Sequence, residues 1–157
     1  MRSRAVPALL CLLATGCVEK ADLPTVPEQI LPMQLAATLR TLSRGQSTVL
    51  TVSLTNTLEE VVRLSFPSTC QVRLYIRDSG NRLAAPKTAY SCATVPSLIT
   101  LPPSQTRTFD FTWSGESELG PPGSGTALPA GSYYASAEML ADGYTGVAFP
   151  ILIVLLN

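Results

Sequence analysis

The side chains of this chain best suited to covalent chemistry are its four cysteines, Cys11, Cys17, Cys70 and Cys92. The chain has no histidine, which excludes Ser-His-Asp and Cys-His catalysis, imidazole acid–base chemistry and His-ligated zinc. No two cysteines form a Cys-x-x-Cys pair, the spacing typical of structural zinc sites. The sequence brings no two carboxylates together as a catalytic pair. We therefore predict no enzyme, no metal and no cofactor.

The surroundings of Cys17 indicate an export signal. A basic start, Met1 to Arg4, precedes an apolar run from Ala5 to Leu13 and the small residues before Cys17. This is the order of a bacterial signal peptide, and the apolar run is far shorter than the roughly 20 residues that span a bilayer. We predict that residues 1–16 form the signal peptide.

The segment Leu13-Ala14-Thr15-Gly16-Cys17 resembles the lipobox of bacterial lipoproteins, in which the cysteine thiol receives diacylglycerol. Lipidation at Cys17 would attach the chain to a membrane, and the proline-punctuated residues 17–32 would form a tether. Ordinary secretory cleavage at the same bond is the alternative. We therefore predict a chain anchored in the bacterial cell envelope. Asp after the cysteine would signal retention at the inner membrane, so Val18 predicts the outer membrane if the host has one.

Two cysteines remain after export, Cys70 and Cys92. Exported chains meet an oxidising compartment, in which an even remainder of cysteines usually pairs. Cys70 begins a predicted strand and Cys92 lies on the return from the following turn, so we predict a disulfide between them. A reactive thiol is the alternative, but it would lack its usual histidine base.

The region from Met33 to Asn157 alternates apolar and polar residues in twos, which is typical of strands that are buried on one face. The whole chain is 46% hydrophobic and 14% charged, with eleven basic and eleven acidic side chains, so we expect no nucleic-acid partner. We predict an all-β domain, an immunoglobulin-like antiparallel β-sandwich of about eight strands. The predicted strands are Met33 to Leu42, Ser47 to Thr55, Val61 to Phe66, Gln71 to Arg77, Ser97 to Leu101, Thr106 to Trp113, Ser132 to Leu140 and Val147 to Leu156.

Finer features of these strands also lead to expectations. We expect Gly80 to adopt positive φ in the turn after Arg77 and Pro150 to lie at a sheet edge or a bulge. Phe109, Phe111 and Trp113 share one face of a strand, where they would pack between the sheets or line a cleft.

From Val49 to Leu83, and again around "LPPSQTRTFDFTW" and "LPAGSYYASAEML", the sequence is similar to the intracellular proteinase inhibitor (BsuPI) domain. The resemblance covers roughly residues 47–140, and the matching positions are Asn56, Phe66, Asp78, Gly80, Trp113, Gly131 and Tyr133. It implies a β-sandwich and a role in proteinase inhibition. The export signal and the two sandwich cysteines depart from the family pattern.

Two segments are candidate partner-binding loops. One runs from Ala84 to Pro96 around Cys92. The other runs from Ser114 to Ala130, is rich in glycine, proline and serine, and includes Pro121 and Pro122. Its lack of an apolar period predicts an irregular loop that buries little apolar surface, either employed in binding or merely mobile.

We expect a protein-binding or protease-inhibiting envelope lipoprotein without catalysis. The alternative is a structural envelope domain that binds cell-wall polymer, polysaccharide or a larger envelope complex. A protease or another envelope protein would be the partner in the first case.

Overall fold

The computed structural model describes residues 29–157. Its secondary structure consists of strands, with no helix in this range. Eight strands have five or more residues, as the sequence predicts: β2 (Met33–Ala37), β4 (Thr48–Thr55), β5 (Val62–Phe66), β6 (Val72–Asp78), β8 (Ser97–Leu101), β9 (Thr106–Trp113), β10 (Gly131–Met139) and β12 (Val147–Leu155). Four short strands complete the set: β1 (Gln29–Ile30), β3 (Thr41–Leu42), β7 (Leu83–Ala85) and β11 (Tyr144–Thr145). The predicted signal peptide, Cys17 and most of the tether lie outside the described residues.

Two sheets form the sandwich. One has five strands in the order β3-β12-β10-β6-β7, and the other has three in the order β2-β4-β9. The core is mostly aliphatic, and Trp113 and Phe66 are its largest fully buried side chains. The alternation in β4 and β6 buries alternate aliphatic residues and leaves the intervening residues half-buried, as the period of two predicts. The all-β sandwich is confirmed.

The first predicted strand, Met33 to Leu42, is not continuous. It divides into β2 and β3, which belong to different sheets, and β3 pairs with β12 in parallel. Thr38 marks the break, because its backbone N–H still bonds the carbonyl of Val49 while the chain leaves the three-stranded sheet. The chain also joins the fold earlier than Met33, since β1 pairs in parallel with β11 and Leu31 is buried.

A two-stranded ribbon, β5 and β8, prolongs the β4–β9 pair beyond an interruption. Asn56 lies at this interruption and is fully buried. Its Nδ2 donates to the carbonyls of Glu60 and Leu101, both at 2.8 Å, and its Oδ1 accepts the N–H of Leu58 at 2.9 Å. The family-matching asparagine is therefore the residue that holds the kink of the long ribbon.

Pro150 lies at a bulge in β12, one of the two positions predicted for it. Pairing with β10 shifts register between Ala135 and Ala137, so that two residues, Phe149 and Pro150, lie opposite Ser136. A proline is tolerated there because a bulge leaves its nitrogen without a ladder bond to make. The turn after β6 differs from expectation: Asn81, with φ of 62°, takes the left-handed conformation instead of Gly80. Asparagine tolerates this region because its short side chain bonds locally.

The disulfide between Cys70 and Cys92 is confirmed, with Cα atoms 5.5 Å apart. It ties the β5–β6 connection to the segment that precedes β8. Thr69 and Ala93 add two hydrogen bonds beside it, one between backbone groups and one to the Thr69 hydroxyl. The disulfide joins cysteines that are 22 residues apart in sequence. In the chain-entropy model, a cross-link over this separation stabilises the fold by about 3 kcal/mol.

The sandwich has two distinct ends. We call one the loop end; it carries residues 43–46, residues 78–82 and the 114–130 loop. The other is the tether end; it carries β1, β11 and the β10–β12 turn. β12 runs from the tether end at Val147 to the loop end at Leu155, so about 25 Å separates them at the usual rise per residue.

Candidate functional site

The 114–130 loop is an ordered structure held by its own backbone. Ser117 donates its N–H to the carbonyl of Thr126 at 2.8 Å, and Leu128 donates to Gly115 at 2.9 Å. An isolated antiparallel bridge joins Glu116 to Ala127 between these bonds. The two arms of the loop therefore pair with each other. Sequence composition could not reveal this, because the bonding groups belong to the backbone.

A single carboxylate fixes the tip of this loop. The Glu116 side chain accepts the N–H of Gly123 through Oε1 at 2.8 Å and that of Gly125 through Oε2 at 2.7 Å. These backbone N–H groups stabilise the charged form and hold the pKa of Glu116 below its usual value. Between them, Ser124 bonds the carbonyl of Pro121 through both its N–H and its hydroxyl. The result is a turn over Pro121–Ser124 that is fixed from beneath.

The base of the loop packs onto the core, contrary to the expectation of little apolar burial. Leu119 and Leu128 pack against the core cluster, and Gly115 is buried with φ of 75°. A Cβ on Gly115 would lie 3.1 Å from a methyl group of Leu155, so the residue needs both the absent side chain and the left-handed conformation. Trp113 donates its indole N–H to the carbonyl of Glu116 at 2.8 Å. Core and loop thus share one hydrogen-bond network.

The two loops that the sequence proposes separately are joined in the structure. Lys87 donates its backbone N–H to the carbonyl of Ser117 at 2.8 Å. Thr88 donates its N–H and its hydroxyl to the two carboxylate oxygens of Glu118, at 2.9 and 2.6 Å. Residues 86–88 and 116–126 therefore form one continuous surface at the loop end, which we call the composite surface.

The segment from Ala84 to Pro96 is not a loop throughout. Ala84 and Ala85 lie in β7 and are buried, which removes them from any binding surface. Further along, Tyr90 covers the edge of β6: its hydroxyl accepts the N–H of Leu74 at 2.9 Å and donates to the carbonyl of the same residue at 2.7 Å. Burial raises the pKa of Tyr90 to about 12. This part of the segment, with the Cys92 disulfide, closes a sheet edge that β7 is too short to cover.

Exposure separates the remaining candidate residues. Pro121 and Pro122 are exposed at the tip, together with Gly123 and Ser124, whereas Ser114 is buried at the loop's base. Ala130 and Pro96 are exposed, but Pro96 lies beyond the disulfide and away from the tip. Tyr133 is buried and donates its hydroxyl proton to the carbonyl of Pro129 at 2.8 Å, so it packs as a core residue.

Two clefts flank the base of the composite surface. One, of about 610 Å³, lies between the turn that contains Arg44 and the loop, with Leu155 and Leu128 among its lining residues. The other, of about 460 Å³, lies beside Lys87 and Arg82. Both clefts border Pro129 and Ala130. The surface therefore combines an exposed turn held by hydrogen bonds with a recess on each side of its base.

Sequence reasoning missed the residues that organise this surface, namely Glu116, Glu118, Thr88 and Tyr90. Each acts on a group remote in sequence or on backbone N–H groups, and none belongs to a recognisable motif. Glu116 and Glu118 lie among small residues that show no periodicity. The one feature of the sequence that distinguishes them is their charge, because the rest of the 114–130 segment is uncharged. Their roles depend on loop geometry.

The aromatic strand is a core element. Trp113 is fully buried and packs edge-on against Tyr133 with ring centroids 5.9 Å apart. Phe109 and Phe111 are half-buried against the same core because β9 is the edge strand of its sheet. Asp110 is exposed and accepts a hydrogen bond from the Thr51 hydroxyl at 2.6 Å. These residues do not line a cleft with a catalytic group.

Within the part of the chain that the structure describes, no group of three or more Cys, Asp or Glu residues is arranged to hold a metal ion. In the same range, no helix has the length and apolar character needed to cross a membrane.

Comparison with solved structures gives matches of low similarity. The CARDB domain of the PF1109 protein from Pyrococcus furiosus, solved with di-metal ions, is 16% identical with a TM-score of 0.44, over 80% of this chain and 87% of that one. A β-glucosidase from Erythrobacter marinus is 15% identical with a TM-score of 0.46, over 80% of this chain and 16% of that one. These scores carry no argument about what this chain does. No curated protein matches the chain.

Comparison with family models identifies the family of the chain. The model of the BsuPI family, described as intracellular proteinase inhibitor, matches residues 35–144. The match runs from β2 to β11 and takes in the kink at Asn56, the disulfide and the whole composite surface. It spans most of the chain and confirms the resemblance seen in the sequence. The chain therefore belongs to the BsuPI family of proteinase inhibitor domains.

Proposed function

We propose that this protein is an exported, lipid-anchored envelope protein that binds and inhibits a proteinase through the composite surface, without catalysis. The observation that carries the proposal is the rigid turn over Pro121–Ser124, which Glu116 holds from beneath. A turn ordered before binding loses little conformational entropy when a partner closes on it, so more of the contact energy appears as affinity. The family's description as proteinase inhibitors supports the choice of partner.

The position of the tether supports the anchoring part of the proposal. The chain joins the domain at Gln29, at the tether end, whereas the composite surface lies at the loop end. A lipid on Cys17 would hold the tether end toward a membrane and leave the composite surface free to meet a partner. Export also suits the Cys70–Cys92 disulfide, which persists in oxidising compartments.

The test is titration of the mature protein against a panel of active serine proteases. We expect stoichiometric inhibition of at least one enzyme, with the 114–130 loop intact after incubation. Replacing Pro121 and Pro122 with glycine should weaken that inhibition about tenfold, which corresponds to about 1.4 kcal/mol, because the turn must then be ordered on binding.

A matched control exists at the tether end. Pro102 and Pro103 form another exposed diproline turn, between β8 and β9. Replacing both with glycine changes the unfolded chain in the same way but leaves the composite surface unaltered. Equal weakening by the two double variants, or cleavage of the loop as an ordinary substrate, would contradict inhibition through this surface.

A further inference from the structure

The outward face of the five-stranded sheet carries large apolar side chains that nothing in the described domain covers. Phe149 is 88% exposed, the highest value among the large hydrophobic residues of residues 31–157, and Val147 is 63% exposed. Leu152 and Tyr134 are 41% and 42% exposed and lie directly opposite each other in register. We call these four residues the apolar patch.

The bulge in β12 creates the most exposed part of this patch. In a regular strand, only every second residue would face outward, and the outward-facing side chain of Ser136 would have one neighbour on β12. The bulge places both Phe149 and Pro150 opposite Ser136, so β12 presents an additional outward side chain. Burying Phe149 would require a different register, and the sheet instead holds it in solvent.

The apolar patch begins where the chain joins the domain. Gln29 and Ile30 pair with Tyr144 and Thr145, and Val147 follows two residues later. Residues 18–28 separate Cys17 from Gln29 and reach at most about 40 Å when fully extended. A lipid on Cys17 would therefore keep the patch within that distance of a bilayer. Because this tethering raises the effective concentration of the patch at the bilayer, even a weak contact would hold the patch on the membrane.

We propose that the apolar patch rests on the surface of the membrane that holds the lipid anchor. This inference rests on the anchoring proposed above. The tyrosine ring suits the boundary between headgroups and acyl chains because it combines an apolar body with a polar hydroxyl. Phenylalanine and leucine side chains can insert among the acyl chains beneath that boundary. Arg77 lies opposite Tyr134 on β6 and has no carboxylate partner among the described residues, so its charge complements anionic headgroups.

This contact is compatible with partner binding at the other end of the sandwich. Val147 and Phe149 lie in the half of β12 nearest the tether end, whereas the 114–130 loop packs against Leu155 at the loop end. A domain that rests on this face of the five-stranded sheet keeps the composite surface, which lies at the end of the sandwich, in the aqueous phase.

The experiment places a tryptophan in the patch of the lipid-bearing protein. The mature protein is reconstituted into vesicles of phosphatidylethanolamine and phosphatidylglycerol, with and without brominated acyl chains, and vesicle flotation is recorded. Phe149→Trp is the reporter and Val147→Trp a second one. Leu39→Trp is the matched control, since Leu39 is 43% exposed but precedes β3 near the loop end. Trp113, the single native tryptophan, is fully buried and gives the same background in every variant.

In the vesicles, we expect the emission of Phe149→Trp and Val147→Trp to move to shorter wavelength and to be quenched by the brominated lipids. Leu39→Trp should show neither change. Protein that floats while all three variants behave alike overturns the membrane contact and leaves the anchor intact. Protein that does not float overturns the anchor, and the contact with it.

A second copy of the chain is the competing occupant of the patch. It would appear in sedimentation of the detergent-solubilised protein as a dimer that Phe149→Ser dissociates. That result overturns the membrane contact in favour of a dimer.

Discussion

Individual polar side chains in this domain form hydrogen bonds with backbone groups that no neighbouring strand pairs. Glu116 holds two glycine N–H groups at the tip of the 114–130 loop, and Asn56 bonds backbone groups on both sides of the ribbon kink. Tyr90 satisfies the free edge of β6 at Leu74. Each replaces a missing strand partner with a side chain, because unpaired backbone groups are costly where water is excluded.

Acidification should release the tip of the loop. The folded protein holds the pKa of Glu116 below its usual value of 4.5, because Gly123 and Gly125 donate to the carboxylate. The stabilisation is therefore complete above pH 4.5 and is lost as pH falls through the lower, folded value. In an NMR titration, the amide resonances of both glycines should move together with a midpoint below 4.5.

The Glu116→Gln variant is the counterpart of this titration. It keeps one acceptor oxygen and loses the charge, so we expect both amide resonances to shift at neutral pH and their acid titration to disappear. Glu59→Gln is the control, since Glu59 is exposed in the 56–61 loop. An unchanged titration in Glu116→Gln would show that another group holds the tip.

Replacing Asn56 with alanine should destabilise the fold by about 3 kcal/mol, since the carbonyl of Leu101 is left buried without a donor and two further bonds are lost. Urea denaturation measures the change. Thr57→Ala, next in the chain and exposed, should stay within about 0.5 kcal/mol of the parent protein. A similar small effect for Asn56→Ala would mean that the kink is held by the strands alone.

Among the elements, the connections between strands also stabilise the fold. The 114–130 loop contributes two leucines to the core cluster, and the segment that follows β7 protects a sheet edge and carries half of the disulfide. Deleting the loop would remove the acceptor of the Trp113 indole N–H and uncover Leu155. Shortening it to a tight turn is therefore not a neutral change, and substitutions at the exposed tip are the cleaner test of binding.

The edge of β6 offers a test at the element scale. Tyr90→Phe removes both hydrogen bonds to Leu74 while keeping the ring, so the free energy of unfolding should fall by about 2 kcal/mol. Burial raises the pKa of Tyr90 to about 12, so the hydroxyl stays protonated and keeps both bonds until pH approaches that value. Faster hydrogen exchange at the Leu74 amide should accompany the loss.

Tyr134→Phe serves as the control, because Tyr134 is exposed and lies on β10. It should leave both the stability and the Leu74 amide unchanged. If Tyr90→Phe also leaves the stability and the Leu74 amide unchanged, water replaces the hydroxyl at the edge of β6 and the Tyr90 hydrogen bonds do not stabilise the fold.

At the scale of the whole molecule, the sandwich separates the point where the chain enters the domain from the composite surface. The chain joins the domain at the tether end, the composite surface lies at the loop end, and β12 runs from one to the other. This separation suits the proposed attachment at one end and the proposed binding surface at the other. The proposed anchor lies in residues 1–28, outside the described residues.

Cys17→Ser should block lipid attachment, since only a thiol forms the thioether with diacylglycerol. We expect an unprocessed precursor in place of the mature protein, measured by mass spectrometry of membrane and soluble fractions. Cys11→Ser, within the predicted signal peptide, should leave processing unchanged. Mature protein of normal mass from Cys17→Ser would mean ordinary secretory cleavage at the same bond.

The sequence by itself determined the strands, the family and the cysteine pairing. Strand positions depend on the period-two alternation of neighbouring residues, as in β4 and β6, and such local patterns are legible without tertiary structure. The pairing of Cys70 with Cys92 followed from counting the cysteines that remain after the predicted export. Pro150 likewise predicted either a sheet edge or a bulge, because a ring without an N–H fits few places in a sheet, and the structure has the bulge.

Only the tertiary structure decided how the connections fold and which surface they make. Glu116 lies seven and nine residues before the glycines it bonds, and Thr88 lies 30 residues before Glu118. Such contacts depend on where the backbone passes, and residue type alone does not encode that path. The same reason applies to Phe149, whose exposure follows from a register shift between two strands. Local alternation therefore specified most of the strands, and long-range hydrogen bonding specified the composite surface.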